Sequence, residues 1–401
     1  MTKKILIAAV IFFLIALGVG WYLIFMKSPV AKTPADDQNT LPFGPGSGNA
    51  DLTRKDTTLP GQYPAVEVNT LMHLSSEPVS GAAFVETSAS TTLGRIAERA
   101  TSHVYDINLS SGAVTRASVT TLPTIYESLW FNNGASLVLR GIDADFESIT
   151  SYLAKIVPQA TTSPEASGEL QGIYLPSGIE TMAVAPSGKN IFYMVPTQSE
   201  IRGILANTDN TKPSTIYTSP AVEWLVTWPH ENTITLTTKA SRGERGFLYF
   251  LDTKGNVEKI LGNILGLTTL TDPTVTQVAY SNNANSLSIF NITSKQNIST
   301  SIRTLAEKCV WSNKEKNILY CAVPTTFPAG GYPDDWYQGS VSFSDSIYKV
   351  NALSGTSTIV SNLGGRYNQN IDVINPSLSK NDEYLVFMNK KDLTAWSLKI
   401  K

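Results

Sequence analysis

An all-β fold, a single β-propeller of seven blades, is the architecture this sequence predicts, and three observations predict it. One strand–turn–strand pattern recurs along the chain; its clearest copy is Lys308-Cys309-Val310-Trp311-Ser312-Asn313, a polar turn, then Asn317-Ile318-Leu319-Tyr320-Cys321-Ala322-Val323-Pro324. Seven such copies follow one another at a mean spacing of about 49 residues, close to the 40–50 residue period of propeller blades. Composition favours strands and turns: 42% of residues are hydrophobic but only 16% charged, and Ser, Thr and Asn are abundant while helix-forming charge patterns are scarce. Six blades is the alternative count, and a pair of β-sandwiches the alternative fold.

The chain opens with Lys3 and Lys4 ahead of residues 5–26, an uncharged run with Trp21-Tyr22 near its far end. As a helix the run spans about 33 Å, enough for a bilayer core, and the aromatic pair suits the membrane interface. The reading is a cytoplasmic stub (1–4), then a transmembrane helix (5–26) retained as a signal anchor, with the remainder outside the cell membrane. A cleaved signal peptide is the rival, but its apolar core is shorter, and the proline in Thr33-Pro34-Ala35 makes a poor cleavage site. Residues 27–61 carry Pro29, Pro34, Pro42, Pro45 and Pro60 among Gly, Ser, Thr and Asp. They have too little apolar surface to offset ordering, and read as a disordered linker.

Residues 62–401 form the propeller. A weak first copy starts at Val79. Five further copies begin around Tyr126, Thr181, Glu223, Thr276 and Ile374, each an apolar run, a turn of Asn, Gly, Pro or Ser, and a second apolar run. Second halves of blades are visible too: Val104-Tyr105-Asp106-Ile107 before Ser111-Gly112, Phe247-Leu248-Tyr249-Phe250-Leu251 before Lys254-Gly255, and Ile347-Tyr348-Lys349-Val350 before Ser354-Gly355. The copy at Thr276 has little room before the next, so its blade is expected to be short or incomplete. The last copy ends after about three strands; residues 64–69 are expected to add the outer strand beside residues 393–400, closing the ring and removing a sheet edge. Residues 147–156 suit a short helix or a long strand equally well.

Candidate chemistry is sparse. Net charge is −2, which gives no support to nucleic acid as a partner. There is no Gly-x-Ser-x-Gly elbow, no phosphate-binding glycine loop and no His-Glu-x-x-His. His73, His103 and His230 show no metal-ligand spacing, and the alternating acids Asp143, Asp145 and Glu147 lack the glycine of a calcium loop; no metal or cofactor is expected. If residues 313–317 form a five-residue turn, Cys309 and Cys321 face each other across a hairpin, within reach of a disulfide; two buried thiols are the alternative. Residues 325–345 are too long for an ordinary hairpin connection. They hold Tyr332, Asp334, Asp335, Trp336, Tyr337 and Gln338, aromatics beside paired carboxylates, which suits partner binding. The plainer reading is a loop whose Trp336 and Tyr337 cover the propeller mouth. Thr237-Thr238-Lys239-Ala240-Ser241-Arg242 reads as a solvated polar turn.

The blades resemble the TolB-like and WD40-like propeller repeats of bacterial envelope proteins. More closely, the chain is similar to a family of membrane-anchored bacterial β-propellers whose activity is not established. The similarity rests on Thr237-Thr238-Lys239-Ala240-Ser241, Glu307-Lys308-Cys309-Val310-Trp311, Tyr320-Cys321-Ala322-Val323-Pro324 and Tyr332-Pro333-Asp334-Asp335-Trp336-Tyr337-Gln338-Gly339. The resemblance implies fold and envelope location. TolB-like propellers serve as protein-binding platforms, although the helical domain that precedes the propeller in TolB is absent here. The expected function is therefore an extracytoplasmic platform that binds a protein or an envelope polymer. The alternative is a cell-envelope carbohydrate hydrolase or lyase using carboxylates on the propeller face.

Overall fold

Seven four-stranded antiparallel sheets follow one another along the chain and close into a seven-bladed β-propeller. The computed structural model describes residues 70–87, 91–143, 148–158, 167–221 and 223–401, all within the unit Thr57–Lys401. Residues 5–26 and 27–61, read above as membrane helix and linker, lie outside the described residues. Among the described residues no helix is long and apolar enough to cross a membrane.

The innermost strands are Val79–Glu86, Ile125–Phe131, Thr181–Val184, Trp224–His230, Thr268–Thr271, Cys309–Trp311 and Val373–Leu378. Second strands are covered on both faces by neighbouring blades, so they read as unbroken apolar runs rather than alternating ones. Ile191, Phe192, Tyr193 and Met194 are buried in succession, as is all of Tyr384–Asn389. Seven apolar clusters result, one at each joint between adjacent blades. The turns between third and fourth strands repeat one device. The Asn108 side chain accepts from the backbone N–H of Ser110 and Ser111, and Asn351 from those of Leu353 and Ser354. A glycine at φ 72° follows in each, Gly112 and Gly355, a backbone geometry that costs glycine little.

Three expectations resolve differently from the repeat pattern. The blade containing Gln277–Ser281 is complete, with strands Thr268–Thr271, Gln277–Ser281, Ser286–Asn291 and Asn297–Arg303. The copy at Thr276 marks its second strand; the first, Thr268-Thr269-Leu270-Thr271, is too rich in threonine to register as an apolar run. The ring closes through an N-terminal outer strand, but that strand is Leu71–His73. Leu71 pairs with Leu398 and His73 with Trp396, while Met72 and Leu74 fill the joint to blade 1. Residues 64–69 lie outside the described residues. The ambiguous stretch near residue 150 is a strand, Ile149–Val157.

The topology gives the propeller two distinct ends. One carries the links from blade to blade and the connections between second and third strands; it is called the lid face here. The other carries the turns between first and second strands and is called the turn face.

Candidate functional site

The lid face takes its character from residues 325–344, which join the second and third strands of blade 6, Ile318–Pro324 and Asp345–Asn351. This lid contains one short helix, Asp334–Tyr337, preceded by Pro333 and followed at Gly339 by a residue at φ 78°. Proline before the first turn and a left-handed glycine after the last are the punctuation such a turn needs. Its aromatics point inward. Tyr332, Trp336 and Phe343 are buried around Leu305 in an eighth apolar cluster. The Trp336 and Phe343 rings stack with centroids 6.2 Å apart, and Phe327 and Tyr332 meet Phe343 at 5.3 and 5.6 Å.

Beneath this layer lies a fully buried charge cluster. Lys308, at the link into blade 6, ion-pairs with Asp345 at 2.9 Å and with Asp372, at the link into blade 7; all three side chains are 0% exposed. The second oxygen of Asp372 accepts from Trp336 Nε1 at 2.9 Å and from Phe343 N at 2.8 Å. Asp345 Oδ2 accepts from Val373 N at 2.7 Å. The Lys308 ammonium also lies 5.1 Å from the ring centres of both Trp336 and Phe343, within cation–π range. Burial raises the Asp345 carboxyl above the usual aspartate range, although Lys308 works against it. Lys390 completes the cluster from blade 7, with its ammonium 5.2 Å from the Trp336 ring and its pKa lowered by desolvation.

Towards the axis, Tyr337 donates its hydroxyl to Glu307 at 2.7 Å. Part of Glu307 is exposed, but surrounding protein excludes enough water to raise its carboxyl, against the opposing effects of Tyr337 and Lys308. Tyr337 itself is raised by burial and by the Glu307 charge. The sign of the linkage follows. Between the ordinary glutamate value and its raised folded value, Glu307 holds more proton in the folded than in the unfolded chain, so stability falls as pH rises through that window. Glu307→Gln keeps an acceptor for Tyr337 and removes the charge. The variant is expected to gain stability over the parent at pH 7 and to match it near pH 4, read from urea midpoints across that range.

Two further acids hold the lid in place. Asp334 accepts from the backbone N–H of Arg242 in blade 4, and Asp335 from Gly331 N within the lid at 2.7 Å. The lid thus starts in blade 6, docks on blade 4 and is held from blade 7. Below it, Cys309 and Cys321 are directly opposed in the hairpin register and form a disulfide with Cα atoms 4.0 Å apart. The bridge closes a short loop between strands already paired, so Cys309→Ala with Cys321→Ala is expected to lower stability by about 2–3 kcal/mol, seen as a fall in urea midpoint that reductant does not deepen.

The structure therefore gathers several of the chain's distinctive segments in one place, the turn ending at Arg242, Glu307-Lys308 and the lid, while Tyr320 packs in the joint of blades 6 and 7. It distributes their roles differently from the expectation. Trp336 is 4% exposed and Tyr332 7%, so both pack rather than offer contact area. The carboxylates of Asp334 and Asp335 bind backbone, Tyr337 is half-buried, and Gln338 alone of the six projects into solvent. Lys308, Asp345, Asp372 and Glu307 were not identifiable as site residues. A lysine with acids 37 and 64 positions away leaves no local spacing to read. Of the alternating acids near residue 145, only Asp143 is described, and it accepts from Ser148 Oγ at 2.6 Å.

No protein-family model matches the chain, and no curated protein sequence matches it. Among solved structures, the fold is similar to an oligogalacturonate lyase from Vibrio parahaemolyticus, with TM-score 0.53, 11% identity, and coverage of 85% of this chain and 96% of that one. It is similar to an oligogalacturonate lyase in complex with manganese at TM-score 0.54 and 10% identity, with the same coverages. The tricorn protease aligns at TM-score 0.49 and 10% identity, over 85% of this chain and 35% of that one. At such identities the likeness is one of fold. Among the described residues no group of three or more His, Cys, Asp or Glu is placed to share a metal ion. His73 stacks on Trp396 at 4.2 Å, and His103 bonds Thr121 at 3.0 Å. The residues described here do not fit a manganese centre.

Proposed function

We propose that this protein is a membrane-anchored, extracytoplasmic binding platform whose lid presents a fixed surface to a protein or an envelope polymer. One observation carries the reading: a lid the hairpin does not need is fixed over three blades by a buried lysine and two buried aspartates. Burying three charges is a poor way to gain stability compared with apolar packing, whereas it fixes position. A surface held rigid before binding loses little entropy on association. The crest left exposed runs through Pro328-Ala329-Gly330 and Gln338-Gly339-Ser340. The disulfide suits an oxidising compartment, and the apolar run at residues 5–26 supplies the anchor.

The test uses the full-length chain in detergent as bait for envelope extracts, beside Ala329→Arg with Gln338→Arg. Both substituted residues are exposed, so melting should not change. A partner retained by the parent and lost by the folded variant supports the platform; partners held equally by both refute the crest as the contact. The second reading is an envelope carbohydrate lyase or hydrolase. What favours it is Glu307, a partly exposed carboxyl with a raised pKa beside a tyrosine, a setting suited to proton transfer, on a fold similar to that of carbohydrate lyases. Release of unsaturated or reducing sugar ends from uronate oligomers, abolished by Glu307→Gln, would establish it; no release at any enzyme concentration leaves the platform.

A further inference from the structure

On the turn face, the turns lace together four pairs of adjacent blades: 1 with 2, 3 with 4, 6 with 7 and 7 with 1. Glu231 of blade 4 accepts from the backbone and hydroxyl of Ser187 in blade 3. Asp382 of blade 7 accepts from the hydroxyl of Ser312 and, at 2.9 Å, from Asn313 N in blade 6. Asn133 of blade 2 accepts from Glu86 N of blade 1 at 2.9 Å, and Glu86 in turn accepts from Lys380 N of blade 7 at 2.9 Å.

At the joint of blades 5 and 6 both available acids are engaged elsewhere. Asp272 of blade 5 folds onto its own turn, accepting from Thr276 N at 2.7 Å, Gln277 N at 2.6 Å and Thr274 N at 3.1 Å. Glu315 of blade 6 is drawn away by Lys349 at 2.6 Å and Lys401 at 2.8 Å. With neither acid bridging the joint, a cleft of about 550 Å³ separates residues 272–277 from residues 311–318, a size that accommodates a small ligand or a segment of polymer.

We infer that this cleft is a binding site for an anionic, hydroxyl-rich polymer, separate from the lid and independent of the lid's role. Thr274, Thr276, Asn313 and Asn317 line its walls. The threonine hydroxyls donate to Asp272 and the Asn313 amide N–H groups to Leu378 and Ser379, which leaves their oxygens to accept from the hydroxyls of a polyol, while the Asn317 amide can both donate and accept. Lys314 and Lys316 stand exposed at its mouth, and neither is ion-paired among the described residues. Glu315 is neutralised by Lys349 and Lys401, and Asp272, held only by neutral donors, keeps its single negative charge. Against the two lysines the cleft is thus left net positive although the whole chain is slightly acidic. Sugar carboxylates and polyol phosphodiesters share the chemistry that would satisfy it.

The experiment titrates the full-length chain calorimetrically with a hexuronate oligosaccharide, a polyol-phosphate oligomer and a neutral glucan of equal length. At least one anionic oligomer is expected to bind, and the glucan about tenfold more weakly or not at all. The arm that binds identifies carboxylate or phosphodiester as the recognised group. Lys314→Ala with Lys316→Ala removes the charge, and Thr276→Trp fills the cleft while leaving both lysines; each is expected to weaken anion binding by about tenfold or more with melting unchanged. Failure of both anionic oligomers to bind, equal binding of the glucan, or affinity that survives either variant overturns the proposal. Crest variants of the lid should leave this affinity untouched, so the two sites fail or stand separately.

Discussion

Lys308→Met is expected to destabilise the protein by about 3–5 kcal/mol, because it strands two carboxylates in an interior that excludes water. Asp345 and Asp372 are both fully buried around the lysine, which pairs with Asp345 through Oδ2, and Asp345 Oδ1 has no hydrogen-bond partner among the described residues. The deficit should depend on pH. Asp345 is already raised by burial with Lys308 opposing the shift, so removing the lysine raises it further. Protonation then relieves the variant as pH falls, and the gap to the parent is largest at neutral pH and narrows in acid. Urea midpoints between pH 4 and 8 measure this. Adding Asp345→Asn and Asp372→Asn to Lys308→Met removes the stranded charge and is expected to recover part of the loss. A single variant as stable as the parent at pH 7 would show that the lysine does not compensate these acids.

Trp336→Ala is expected to cost about 3–5 kcal/mol, the range for deleting a large buried aromatic. The cavity would lie directly over Lys308, and Asp372 would lose the indole donor. Trp336→Phe separates the two contributions. It keeps most of the ring and loses the N–H, and since Phe343 N still serves the same oxygen, the expected loss is about 1–1.5 kcal/mol. Limited proteolysis supplies a second readout. The alanine variant should be cut within residues 325–344 while the blades stay resistant, because the lid's packing is its own cluster, separate from the seven joints. Cleavage spread evenly over the blades would mean that lid and ring unfold together.

The blade count was legible because a strand covered on both faces must be apolar throughout, and runs such as Leu137-Val138-Leu139 and Tyr384-Leu385-Val386-Phe387 announce themselves. Thr268–Thr271 was not legible, since three threonines around a single leucine carry little hydrophobic signal. The facing of Cys309 and Cys321 follows from turn length alone, a local quantity. The charge cluster is the opposite case: Lys308 meets Asp345 and Asp372 only because two successive inter-blade links end at the same face. The lid's aromatic composition was visible while its direction was not. Trp336 reads identically whether it greets a partner or caps a lysine, and the buried cation beneath decides for the interior.

The Leu71–His73 strand has a consequence for the order in which the molecule is made. Its partner, Ala395–Lys399, lies almost a full chain length later, so the first strand of the ring to leave the ribosome is among the last to find its place. At roughly 5–20 residues per second the wait is on the order of tens of seconds. During it blade 7 does not exist, and the flank of blade 1 that Met72 and Met388 later cover faces solvent. Six finished blades would form an open arc with an adhesive surface at each tip, and blade 7, completed by its final five-residue strand and by Leu71–His73, turns that arc into a ring.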